Sequence, residues 1–354
     1  YILQILLKSF PFLQNDELKL LCKDIALLTP GLVAADLEAL CNDTLIDILQ
    51  SKDSKEPKIT LDNFKTVLYK LRPANLAEYI KPINAERLTF SDFGGLDEVI
   101  KQLQVSVIQG IKNIDIFVKL GVSPPSGLLF HGPSGTGKTQ MAQALANESG
   151  LNLITIQGPE LISPIVGQSE KNISELFTKA RESSPCILFL DQIDAIATKR
   201  GNDDSSNRVR ERTLSCLLTE MDGVNNDKRS TSKSNSSIIV IGVTQERYSL
   251  DPAILRPGRL DLHLEFTLPD KNGRLKILSN VLQKTPLSDE IDIEELSDKL
   301  EDKTGAEIKN YCQEAVLICL REDINQQVVS KSHFNEALKY IEQKPKQKDI
   351  QQQP

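Results

Sequence analysis

Gly132-Pro-Ser-Gly-Thr-Gly-Lys-Thr139, set between the apolar run Gly127-Leu-Leu-Phe130 and a helical pattern over Lys138–Glu148, decides how this chain reads. It fits G-x-x-x-x-G-K-[ST] and lies in the strand–loop–helix context that this motif requires. Glycines let successive backbone N–H groups wrap a phosphate, and the helix N-terminus adds partial positive charge. Pro133, Ser134, Gly135, Thr136 and Gly137 form the wrap. Lys138 is placed to reach β- and γ-phosphates, and Thr139 to coordinate Mg²⁺. The competing reading, a glycine-rich turn that binds nothing, loses weight because strand and helix flank it.

Working outward, Leu151–Ile156, Cys186–Leu190 and Ile238–Val243 are further apolar runs of strand length. Such runs suit central strands of a parallel sheet covered on both faces. Lys138–Glu148 and Glu170–Glu182 read as the intervening helices. In the second, Ile173, Leu176, Phe177 and Ala180 make one apolar stripe, with Ser169 as N-cap. The alternation predicts an α/β doubly wound domain. Cys186-Ile-Leu-Phe-Leu-Asp191 is the acid-terminated strand that pairs with such a loop, Asp191 holding Mg²⁺ directly or through water. Gln192 follows, where a hydrolysing enzyme of this type has Glu. An amide orients water but accepts no proton, and losing a general base costs about 10²–10⁴ in rate. An introduced ATP trap and a native departure both fit Gln192.

Glu220-Met-Asp-Gly223 and Leu250-Asp-Pro-Ala-Ile-Leu-Arg-Pro-Gly-Arg-Leu-Asp261 resemble the second region of homology of AAA ATPases. The order Ser91-Asp-Phe-Gly-Gly-Leu96, phosphate loop, Gly158-Pro-Glu-Leu161, acidic strand and Thr304-Gly-Ala-Glu307 is similar to the second module of tandem AAA proteins of the valosin-containing-protein type. The likeness covers residues 87–341. It implies a P-loop AAA+ sheet domain followed by an all-α lid, with ATP and Mg²⁺ as cofactors. It also implies that Asp92, Phe93 and Gly94 line the adenine pocket, with Gly305 and Ala306 closing it from the lid. Arg256 and Arg259 correspond to arginine fingers that reach a neighbouring subunit's γ-phosphate, and hence to a hexameric ring. For either arginine an ordinary salt bridge is the alternative. Arg212 falls at the subunit interface by the same likeness.

Three positions depart from the family pattern. Besides Gln192, Gln245 stands where the first-sensor Asn positions the attacking water. Ile165-Val166-Gly167 occupies the pore loop, where an aromatic–aliphatic–Gly triplet grips threaded polypeptide. Binding residues are kept while hydrolysis and grip residues are altered. The family function is protein remodelling or extraction. Ser163-Pro-Ile-Val-Gly167 and Glu211-Arg-Thr-Leu-Ser-Cys-Leu-Leu218 look most like the spermatogenesis-associated branch linked to ribosome maturation, beside nuclear and peroxisomal relatives. An alternative is a weakly hydrolysing structural subunit of a hetero-oligomeric ring that lends arginines to an active neighbour.

An internal repeat extends the picture. Ile2-Leu3 with Pro11 matches Ile277-Leu278 with Pro286. Leu37-Glu-Ala-Leu-Cys41 matches Ile308-Lys-Asn-Tyr-Cys312, and Leu61-Asp-Asn-Phe64 matches Lys331-Ser-His-Phe334. The reading divides the chain into residues 1–72 as the helical lid of a preceding module, 73–86 as linker, 87–270 as nucleotide-binding domain, 271–341 as lid and 342–354 as disordered tail. Residues 225–237 read as a polar loop. The chain opens at Tyr1 inside a helical pattern, as a fragment of a longer protein would, and adaptors are expected to bind through the missing N-terminal region.

The 354 residues suffice for two or three domains, and 40% hydrophobic with 26% charged residues is ordinary globular composition. A net charge of −7 argues against a dedicated nucleic-acid binder. No apolar run reaches the roughly 18 residues of a membrane span. The six cysteines contain no C-x-x-C pair and sit in apolar stretches, as reduced thiols of an intracellular protein do. Cytoplasm and/or nucleus is the expected location. His131, beside the loop, reads as a packed strand-end residue. Lys199, Arg200, Arg208 and Arg210 read as a solvated face with inter-subunit contacts.

Overall fold

A computed structural model describes residues 5–7, 21–22, 25, 29, 34–50, 61–68, 88–120, 125–163, 165, 167–199, 205–230, 238–283, 285–286, 288, 291–322 and 328–343. The expected linker (73–86) and residues 344–354 lie outside them. At the front, helices α1 (Ala34–Gln50) and α2 (Leu61–Leu68) enclose a small core that includes Leu37, Leu40, Cys41, Phe64 and Val67.

The α/β domain alternates β1 (Gly127–His131), α3 (Lys138–Ser149), β2 (Asn152–Gln157), α4 (Gln168–Glu182), β3 (Cys186–Asp191), α5 (Ser205–Ser230), β4 (Ile238–Thr244) and β5 (Leu262–Glu265). All pairings are parallel, in the order β2-β3-β4-β1-β5. Strand alternation sorts the side chains into two cores. Leu129, Leu188, Leu190 and Val240 face α4 and α5. Leu128, Phe130, Ile187, Phe189 and Ile241 face α3. β4 is buried along its whole length, which is why it reads as a continuous apolar run. Each buried aliphatic side chain contributes about 1.5–3 kcal/mol. This layering brings the C-terminal ends of β1, β3 and β4 together at one edge of the sheet.

The second helical unit follows as α6 (Lys271–Leu282), α7 (Ile293–Lys299), α8 (Gly305–Glu322) and α9 (Lys331–Gln343). Its core contains Ile308, Cys312 and Phe334. Their repeat partners Leu37, Cys41 and Phe64 lie in the core of the first unit. The repeat is therefore one of packing as well as letters.

Three local expectations are corrected. Ser169 does not cap α4: Gly167 does, at φ 85°, while the buried Ser169 hydroxyl accepts from Ser163 N at 2.8 Å. Residues 225–230 are helical: α5 is anchored by buried Met221 and Val224, runs through Gly223 and meets no Gly or Pro between Val224 and Ser230; 231–237 are outside the described residues. Residues 342 and 343, expected to open the tail, close α9 instead. Among the described residues no helix is long and apolar enough to cross a membrane.

Candidate functional site

The loop after β1 is turned by three glycines in the left-handed or neighbouring positive-φ region, Gly132 at 140°, Gly135 at 80° and Gly137 at 92°. A Cβ at Gly132 would lie 2.1 Å from Phe266 O, so only glycine fits there. Gly137 caps α3, whose first-turn N–H groups lack helical partners and face the loop's concavity. Lys138 is buried, and its ammonium donates to Gly132 O at 2.8 Å and Pro133 O at 2.6 Å. Burial lowers the Lys138 pKa while nearby Asp191 opposes the shift. Thr136 Oγ1 donates to Pro133 O at 2.9 Å, and Pro133, Ser134 and Thr139 are exposed. A buried cation inside a ring of backbone dipoles fits a polyphosphate.

The loop is tied sideways to the sheet. Gly132 N donates to Gln245 O at 3.2 Å, which leaves the exposed Gln245 side chain at the end of β4 beside the loop. Asp191 ends β3 opposite Gln157 of β2 and accepts the Gln192 N–H at 3.0 Å. Gln192 itself is exposed and left-handed at φ 54°. Its carbonyl lies 2.3 Å from where a Cβ on Gly158 would be, so Gly158-Pro-Glu-Leu161 buttresses this strained turn. His131 is half-buried at the end of β1, and desolvation lowers its pKa.

Two contacts join this edge to the helical unit behind it. Ala306 N, in the first turn of α8, donates to Gly135 O at 3.0 Å. Thr304 caps that helix in reciprocal bonds with Glu307, at 2.7 and 3.3 Å, and its hydroxyl lies 3.0 Å from a hypothetical Gly135 Cβ. Gly305 is beside Gly135 O as well. On the other side, buried Phe93 places its ring 3.5 Å from a Gly137 Cβ position. Gly94 and Gly95 press directly on Gly273 of α6. Phe93, Gly305 and Ala306 thus converge on the loop, while Gly94, next to Phe93, sits against α6. The Asp92 carboxylate, on the exposed turn just before Phe93, accepts from Thr89 N at 2.7 Å and Thr89 Oγ1 at 3.0 Å.

Residues 128–268 match the family described as "ATPase family associated with various cellular activities (AAA)", and residues 290–336 match the AAA+ lid domain. The chain belongs to the AAA ATPases. It is 35% identical over 377 residues to the cell division cycle protein 48 homolog of Archaeoglobus fulgidus, covering 99% of this chain and 49% of that protein. It is 37% identical over 351 residues to human ATPase family gene 2 protein homolog A, covering 96% of this chain and 38% of that protein. The chain therefore spans half or less of the length of these relatives.

In this AAA domain the two arginines of the second region of homology are placed differently. Arg256 is exposed on the turn after Ala253-Ile-Leu255. Arg259 is not held outward, contrary to expectation for the pair: its guanidinium forks onto Asp222 of α5 at 2.9 and 2.7 Å and donates to Ala253 O at 2.6 Å. Asp222 and Arg259 stand 37 positions apart in sequence, so no local pattern announces the pair. Ile165 is 67% exposed ahead of Gly167 and α4, while Val166 lies outside the described residues. Arg210 and Arg212 are exposed on α5, and Lys199 is exposed before it. Thr304, Gly158 and Gly273 are the residues that sequence reading passed over as site-builders; the first two stood in quoted motifs.

Proposed function

We propose that this AAA module works in a ring that couples ATP binding and hydrolysis to remodelling or extraction of protein complexes. One observation carries the reading: Ala306 of the lid bonds directly to Gly135 of the phosphate loop. A triphosphate seated in the loop cannot alter its backbone without moving the lid, and lid motion is how a nucleotide does mechanical work on a neighbour. Mg²⁺ would be held by the Thr139 hydroxyl and the Asp191 carboxylate, a hard oxygen set suited to it. When bound, it would neutralise charge on the β- and γ-phosphates. Lys138 binds those phosphates, Gln245 orients water, and Gln192 holds water without accepting its proton.

The ring is a homo- or hetero-hexamer in which Arg256 faces the next subunit's site. The substrate is a polypeptide engaged by Ile165 and Val166, adaptor proteins are partners, and the setting is ribosome maturation in cytoplasm or nucleus. Neither nucleic acid nor membrane is a direct partner. The exposed Gln192 and Gln245 favour a second reading: a weakly hydrolysing subunit whose main service is to lend an arginine to an active neighbour.

Steady-state turnover of the Gln192→Glu protein separates the two. A rise of about 10²–10⁴ marks a site otherwise ready for chemistry. Unchanged turnover favours the structural subunit. Absence of any ATP binding by the parent protein would refute both.

A further inference from the structure

Arg256 and Arg259 share one turn, yet only one of them is available. Arg259 spends three of its five N–H donors inside its own chain, two on Asp222 and one on Ala253 O. Its side chain is 16% exposed. The hydrogen bond from Arg259 holds the Asp222 carboxyl below the usual range and, reciprocally, raises the arginine's own pKa. The turn is closed by further bonds: Arg259 N to Arg256 O at 3.1 Å, Leu260 N to Ile254 O at 3.2 Å, and Ala253 N to Asp251 Oδ1 at 2.8 Å. Asp251 N in turn bonds Ala197 O at 2.8 Å, next to the end of the acidic strand's own loop. Gly258 supplies the positive φ, 91°, that brings Arg259 back toward α5. Arg256 projects from this brace, with no partner for its guanidinium among the described residues.

We propose that Asp222 and Arg259 form a positioning pair that braces the turn, and that Arg256 alone reaches the neighbouring subunit's nucleotide. The proposal rests on the ring reading above and refines it. With its Nε–Nη2 edge on the Asp222 carboxylate and an Nη1 donor on Ala253 O, the Arg259 guanidinium is clamped by its own chain and cannot swing to a neighbour's phosphate without giving up these bonds. Releasing it would also strand Asp222 and slacken the turn that aims Arg256. Residue types alone make the two arginines equivalent; their bonding makes them unequal.

The test uses rings of the full-length protein, purified with the subunits that co-assemble. Two quantities are read: how much more slowly subunits leave the ring in ATP than in ADP, and turnover per ring at saturating ATP. Arg256→Ala is expected to abolish the ATP advantage and to lower turnover about 10³-fold. Arg259→Ala and Asp222→Asn are each expected to lower turnover by up to about 10²-fold through misplacement of Arg256, with nucleotide affinity of the same subunit unchanged. The decisive variant is the exchanged pair Asp222→Arg with Arg259→Asp. It restores the ion pair to α5, though not the bond to Ala253 O, and puts no arginine at 259, so recovery of both quantities supports a positioning role. An exchanged pair as impaired as Arg259→Ala, with Asp222→Asn harmless, would overturn the proposal and make Arg259 a finger. If Arg256→Ala leaves both quantities intact, the trans-acting reading falls, and this refinement with it.

Discussion

Lys138 illustrates how one residue is prepared for a ligand. Its ammonium is buried yet satisfied by two neutral carbonyls, Gly132 O and Pro133 O. Phosphate oxygens offer full negative charge, and charge-assisted bonds are roughly twice as strong as bonds to neutral acceptors. A triphosphate therefore wins the lysine from its own loop. Since hydrogen bonds to charged groups contribute about 1.5–3 kcal/mol each, Lys138→Ala should weaken ATP binding by roughly 10- to 10²-fold or more. Calorimetric titration checks this; unchanged affinity would mean that the phosphates sit elsewhere. The place of Lys138 inside the loop was legible because its partners are local, within six residues in sequence. Arg259 was not legible in the same way. Its partner Asp222 is on another element, and spacing carries no trace of a contact made by folding.

At the scale of elements, the long apolar strands β1 to β4 were legible and the short strand β5, at one of the sheet's two edges, was not. β1 to β4 are apolar runs because helices cover both sides, whereas β5 is Leu262-His-Leu-Glu265, short and half polar at the sheet's edge. The lid shows how exposed charge holds elements together. Glu295 of α7 accepts from Lys299 at 2.9 Å and from Lys331, the first residue of α9, at 2.5 Å. The bond from Lys299, then that from Lys331, pulls the Glu295 carboxyl down to about 2 from an ordinary 4.5. A folded value below the unfolded one means that the stabilisation is fully present above the unfolded value and lost as pH falls through the folded one. Glu295→Gln should therefore lower the melting temperature at neutral pH. The gap from the parent should close as pH drops from 4.5 toward 2. Melting curves across that window decide it; a gap independent of pH would show that the ion pairs do not tie α7 to α9.

For the whole molecule, function depends on whether the sheet domain and the lid behave as one body when nucleotide is present. They meet at Ala306 on Gly135 and again where Gly94 and Gly95 lie on Gly273. A ligand bound across this cleft stabilises the folded state by RT ln(1 + [L]/Kd), about 2.7 kcal/mol at a hundredfold excess over Kd. Gly94 is the sensitive point: a Cβ there would lie 2.3 Å from Gly273 O and 2.9 Å from Lys276 Cβ. Gly94→Ala must push α6 away from the loop and widen the cleft on the side of Phe93. Each tenfold rise in Kd removes about 1.4 kcal/mol of the stabilisation that ATP confers at fixed concentration. Gly150→Ala is the control. It forces alanine into φ 69° at the end of α3, but a Cβ there has nothing within 4 Å. It should cost about 1–2 kcal/mol of stability through backbone strain alone. Melting temperatures with and without ATP separate the two effects. Gly94→Ala should shrink the ATP-induced increment, while Gly150→Ala lowers both curves and leaves the increment intact. Equal increments in both variants would mean that the Gly94–Gly273 contact only packs the lid and does not transmit nucleotide binding to it.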